Sequence, residues 1–183
     1  MGKRKCSFGC GVPSALFAML LLVGLTSCTL VSHGPALPSA GNDWILKDTR
    51  RLVANELWKE HNGGDNIYIE RGCVSETLSD YRHQNRPWTL RASVFDQSKP
   101  DGARSLLTYY HDGVENEIKG SEAIGDAGYM AKSQMMHSWI VGFCKGRFFV
   151  EASLVEAGNE SVPLSDAGRD ALIAFAKDLA GRL

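Results

Sequence analysis

The run WTLRASVF, residues 88–95, alternates with a period of two. Trp88, Leu90, Ala92 and Val94 fall on one side, and Thr89, Arg91 and Ser93 on the other. Side chains of a strand point to opposite faces in turn, so this spacing predicts a strand with one face buried. Ser98-Lys99-Pro100-Asp101 follows at once. Proline is tolerated in the first turn of a helix and an acid suits its positive end, so a helix is predicted to start here. Ala103, Leu106, Leu107 and Tyr110 would form its buried stripe, and His111-Asp112-Gly113 would stop it. A half-buried strand running straight into an amphipathic helix sets the class as α+β.

Working outward from this core gives the remaining elements. Trp44, Ile45, Leu52, Val53, Leu57 and Trp58 recur at near-helical spacing, which predicts an amphipathic helix over 43–61, ended by Asn62-Gly63-Gly64-Asp65. Ile67-Tyr68-Ile69 reads as a strand, and a second strand is expected from Cys73 to Arg82. On the other side, Tyr129 to Ser133 is expected as a strand. Ser138–Cys144 and Phe148–Leu154 flank Lys145-Gly146, a natural hairpin turn. Ser165 is placed to cap a final helix with Leu172, Phe175, Ala176, Leu179 and Leu183 along one face. The expectation is one antiparallel sheet with helices packed on one face. Gly64-Asp65-Asn66-Ile67-Tyr68 echoes Gly125-Asp126-Ala127-Gly128-Tyr129, so two repeated halves are expected as well.

The start of the chain carries a different message. Lys3, Arg4 and Lys5 precede a mostly apolar run from Val12 to Leu25. That run is shorter than the roughly 20 residues a membrane-spanning helix needs, and it reads as a secretory signal. Leu25-Thr26-Ser27-Cys28 resembles the bacterial lipobox, in which an aliphatic residue, two small residues and a cysteine end the signal. The resemblance implies that Cys28 becomes the mature N-terminus and is lipidated through a thioether. The alternative is an ordinary signal in which this cysteine stands by chance. A single acyl chain binds a bilayer only marginally, whereas several chains anchor stably. Thr29 stands where an aspartate often retains such proteins in the inner membrane, so the outer membrane facing the periplasm is expected if the host is Gram-negative. The domain plan is therefore a signal at 1–27, a Gly-, Ser- and Pro-containing tether at 28–42, and one α+β domain at 43–183.

Composition narrows the function. Hydrophobic residues make up 44% and charged residues 22% of the chain, enough apolar matter for a packed core. Removing Lys3, Arg4 and Lys5 from the 20 basic residues leaves 17 against 21 acidic, a net charge of −4 for the mature chain. No basic block stands out, so a nucleic-acid partner is not expected. Cys73 and Cys144 remain after the leader and the anchor are set aside, an even pair in a compartment that permits disulfides. Either they form a bridge or they pack as two buried thiols.

Leu57-Trp58-Lys59-Glu60-His61-Asn62-Gly63-Gly64-Asp65-Asn66-Ile67-Tyr68 resembles a motif of a family of uncharacterised bacterial envelope proteins. Phe95-Asp96, Asp101-Gly102-Ala103 and Phe143-Cys144-Lys145-Gly146-Arg147-Phe148 continue that likeness. It implies a fold and an envelope location, with no reaction attached.

The chain has no Gly-x-Ser-x-Gly elbow, no phosphate-binding P-loop and no His-Glu-x-x-His zinc motif. His33, His61, His83, His111 and His137 are scattered, none paired at helical spacing. A metal would need His83, His111 or His137 to meet Cys144 in space. A nucleophilic Cys144 would need Lys145 and Arg147 to lower its pKa. The aromatics Trp88, Tyr109, Tyr110, Trp139, Phe143, Phe148 and Phe149 either fill the core or line a concave face suited to an apolar or peptide-like partner. The expected function is a lipid-anchored envelope module that binds or supports a protein or peptide partner, with no catalytic residue and no cofactor assigned. The alternative is a redox or metal-linked role for Cys73, Cys144 and a histidine.

Overall fold

Six antiparallel strands form one open sheet in the order β1-β2-β3-β6-β5-β4. The computed structural model describes residues 43–114, 124–133, 136–157 and 163–183. The signal, Cys28, His33 and the tether lie outside the described residues.

The strands are β1 (Trp44–Val53), β2 (Ser75–His83), β3 (Trp88–Asp96), β4 (Ala127–Ser133), β5 (Ser138–Lys145) and β6 (Phe148–Glu156). Helix α1 (Trp58–His61) and helix α2 (Asn66–Ile69) are single turns between β1 and β2, with a 3-10 turn at Ala54–Glu56 ahead of them. Helix α3 (Pro100–Asp112) follows β3, and helix α4 (Asp166–Ala180) follows β6. The structure therefore has the expected mixed class with an antiparallel sheet. Strand β3, helix α3, the β5–β6 hairpin and helix α4 occupy the stretches read from sequence. At the hairpin turn Gly146 has φ 53°, a left-handed conformation that glycine adopts without strain. Ser165 caps α4 by accepting a hydrogen bond from the Gly168 amide at 3.0 Å.

Three expectations are corrected. Residues 44–53 form an edge strand rather than a helix. The cause is a β-bulge at Lys47: Leu46 pairs with Tyr81 and Asp48 with Asp80, which leaves Lys47 as the extra residue. The bulge shifts the phase of the alternation. Trp44 therefore points into one core, while Leu52 packs against the other. That shift imitates helical spacing in the sequence. Residues 67–69 form a helical turn rather than a strand, because it brings the Tyr68 ring onto Phe95, stacked at 4.3 Å. Tertiary packing overrides the strand propensity of the two isoleucines.

The third correction concerns the helices. Phe149 and Val150 are neighbours on β6 and must face opposite ways. Val150 packs in the larger core with Leu90, Ala92, Val141, Phe143 and the α4 residues Leu172, Phe175, Ala176 and Leu179. Phe149 packs in the second core with Phe95, Cys144 and the α3 residues Ala103 and Leu106. Helices α3 and α4 thus cover opposite faces of the sheet. A two-fold axis through the β3–β6 pair would keep both helices on one face, so the two halves share strand order but not helix placement. The larger core carries most of the apolar burial, at about 1.5–3 kcal/mol for each fully buried Leu or Phe.

Candidate functional site

The α3-side face of the sheet holds the unusual chemistry. Its positions are Glu76, Leu78 and Asp80 on β2, Arg91, Ser93 and Phe95 on β3, and Phe149, Glu151 and Ser153 on β6, aligned by the pairings of these three strands. Helix α3 and the turns α1 and α2 cover the end near Phe95 and Phe149. Among the described residues, no helix covers the other end.

Under the covered end lies a cluster of ionisable groups. Glu76 has no exposed surface, and its Oε2 meets His61 Nε2 at 2.8 Å. Its other oxygen, Oε1, has no hydrogen-bond partner among the described residues. Burial by itself lowers the His61 pKa, but the hydrogen bond and charge of Glu76, with smaller contributions from Glu60 and Glu151, carry it above its ordinary value. Burial raises the pKa of Glu151; the charge of His61 opposes this and that of Glu76 adds to it. Tyr68 and Tyr110 share a hydroxyl–hydroxyl bond, and burial pushes both their pKa values up. Tyr129, on β4, lies over Gly142 of β5, where no other residue would leave room for the ring.

Beyond this cluster a chain of ion pairs runs across the face. Arg91 holds Asp80 with both ends of its guanidinium, at 2.8 and 3.3 Å. Its remaining nitrogen reaches Glu60 at 3.5 Å, and Glu60 also accepts from Arg50 at 3.1 Å, which in turn meets Asp48 at 3.3 Å. Exposed pairs of this kind contribute little stability each, but they fix side-chain positions when they form a network. Next to this network the open end of the face dips into a hollow of about 550 Å³. Lys47, Asp80, Arg82, Thr89, Arg91 and Ser153 supply its polar lining, and Val155 and Met136 its apolar lining. A volume between about 300 and 1,000 Å³ is typical of small-ligand clefts.

The residues singled out from sequence fall elsewhere. Cys73 and Cys144 are both buried free thiols. Both pack in the second core, with Phe95 and Phe149. Burial pushes the Cys73 thiol up to about 12 and raises that of Cys144, so neither is poised as a thiolate nucleophile. Lys145, expected to activate Cys144, instead pairs with Asp126 at 2.9 Å, and Arg147 pairs with Asp96 at 2.9 Å. His83 is enclosed edge-on by Trp44 and Trp88, and His111 lies against Tyr129. Among the described residues no group of three or more His, Cys, Asp or Glu side chains is arranged to hold a metal ion. Trp88, Trp139, Phe143 and Phe149 are core residues and Phe148 packs against the core, while Tyr110 packs partly against the second core and Tyr109 is 46% exposed.

Thr89 and Arg91 were legible as the polar side of the β3 alternation. Lys47, Asp80, Arg82 and Ser153 were not, since their convergence depends on sheet order and on the bulge. Glu151 left one signal, a lone acid in the middle of the apolar run Phe148–Leu154.

No family model, no curated protein and no solved structure matches this chain. Among the described residues no helix is long and apolar enough to cross a membrane.

Proposed function

We propose that this chain is a bacterial envelope lipoprotein, anchored through lipid on Cys28, whose α+β domain is a binding module working through the open end of its α3-side sheet face. One observation carries the binding reading. Helix α3 covers only one end of that face, and the uncovered end is a lined hollow rather than a flat polar surface. The anchoring reading rests on the basic start, the short apolar run and Leu25-Thr26-Ser27-Cys28. In a Gram-negative host the outer membrane, facing the periplasm, is the proposed location. The tether would then let the domain reach a protein or peptide partner close to the bilayer.

The redox or metal-linked alternative gains no support from the geometry, because the two thiols are buried and their pKa values are raised.

Two experiments test the proposal. Mass spectrometry of the protein purified from membranes should show a chain beginning at Cys28 with acyl mass added; an unmodified sulfur or an intact leader refutes the anchor. A photoreactive amino acid at Met136, which is 57% exposed at the rim of the hollow, should give discrete crosslinked products in intact cells. The same probe at Val74, 47% exposed and outside the lining of the hollow, should give none of those products. Equal products from both positions refute the binding face.

A further inference from the structure

Lys47 is the residue that the β1 bulge leaves without a pairing partner, and its side chain lines the hollow. Bulges are a common way of re-aiming one side chain out of the regular alternation. Arg82 on β2 and Arg91 on β3 converge on the same hollow from the next two strands. Arg91 is committed to Asp80 and Glu60. The side chains of Lys47 and Arg82 have no ion-pair or hydrogen-bond partner among the described residues. Three cations and the single carboxylate of Asp80 give the lining a net charge of +2, in a chain whose own net charge is −1. Thr89 and Ser153 add hydroxyl donors. Val155 and Met136, exposed at 37% and 57%, leave an apolar patch beside the charges.

We infer that the hollow binds a phosphate monoester carried on a partly apolar molecule. The inference rests on the binding reading above and names the ligand class. A phosphate monoester carries about −1.5 to −2 charges at neutral pH, which matches the net charge of the lining. Arginine and lysine together suit such a group: the planar guanidinium offers paired donors and the ammonium a mobile point charge. A free phosphate would fill only a small part of about 550 Å³ and would leave Val155 and Met136 uncovered. A molecule with a short apolar body would cover them. Arg91 neutralises the Asp80 carboxylate, and Glu60, which is outside the lining, is held mainly by Arg50, so neither opposes the ligand as a free charge.

The test is calorimetric titration of the full chain, reconstituted in phosphatidylcholine nanodiscs. The probes are dihexanoyl phosphatidic acid, dihexanoyl phosphatidylglycerol and inorganic phosphate. The monoester amphiphile should bind at least tenfold more tightly than either the singly charged diester or inorganic phosphate. The double variant Lys47→Ala/Arg82→Ala should lose at least tenfold of that affinity with an unchanged melting temperature, since both side chains are on the surface. Equal binding of inorganic phosphate and the amphiphile would overturn the inference, as would equal binding by the double variant or no binding of the monoester. If the Met136 crosslinks persist while the monoester does not bind, the ligand class falls and the binding face stands. If neither appears, both fall.

Discussion

At the scale of single residues, His61, bonded to the buried Glu76, and Glu151 both hold their protons more tightly in the folded chain. Folding raises the pKa of His61 above 6.5, so its contribution to stability is complete below that pH and is lost as pH rises through the higher folded value. Folding also raises the pKa of Glu151 above 4.5; its contribution is likewise complete below that pH and fades as the buried carboxyl is forced to ionise. Both act in the same direction, with Glu60, Tyr68, Tyr110 and Tyr129 facing or adjoining them. We predict that melting temperature falls between pH 5 and pH 8. Glu151→Gln should raise the melting temperature at pH 8 and flatten the profile, as read by circular dichroism; an unchanged profile would show that this cluster does not set the pH response. Gly142 offers a second test at this scale. A Cβ there would collide with the Tyr129 ring, so Gly142→Ala should cost about 1–3 kcal/mol in chemical denaturation.

At the scale of elements, the bulge in β1 determines both a core contact and a site residue. Deleting Lys47 would restore strict alternation and turn Trp44 out of the core, where it meets Phe175 at 6.4 Å between ring centroids. We predict a loss of about 3–5 kcal/mol, the cost of losing a large buried aromatic. Lys47→Ala keeps the bulge and should stay within about 0.5 kcal/mol of the parent in urea denaturation. Equal effects of the two changes would remove the bulge from the account. The same feature explains which elements were legible. Strand β3 buries a single face from Trp88 to Val94, and helix α4 buries one face, so their periods are clean in the sequence. Strand β1 changes its buried face midway, and α2 is a single turn too short to show any period. The hollow was half legible: Arg91 and Thr89 follow from the alternation of β3, whereas Lys47 and Arg82 enter through pairings between strands that no local pattern records.

At the scale of the whole molecule, the seam between β3 and β6 joins two meanders. Ala92 pairs with Ala152, 152 − 92 = 60 positions later, while the other ladders join strands close in sequence. Closing a loop of that length brings an entropic cost before any contact repays it, so seam formation is expected to limit the folding rate. Val150→Ala should cost about 2 kcal/mol and, if the seam forms in the transition state, should slow folding more than it speeds unfolding. Stopped-flow measurements on both limbs decide the matter: a change confined to unfolding would place the seam after the barrier.

That long-range pairing bears on how the protein is made. A growing polypeptide that has reached residue 114 already carries everything needed for its first three strands, yet the partner for β3 arrives only with residues 148–156. Until then an apolar ribbon with an unsatisfied backbone edge stands bare, the kind of surface on which neighbouring nascent chains stick together. Conditions that slow self-association until the second hairpin emerges should therefore raise the yield of folded protein.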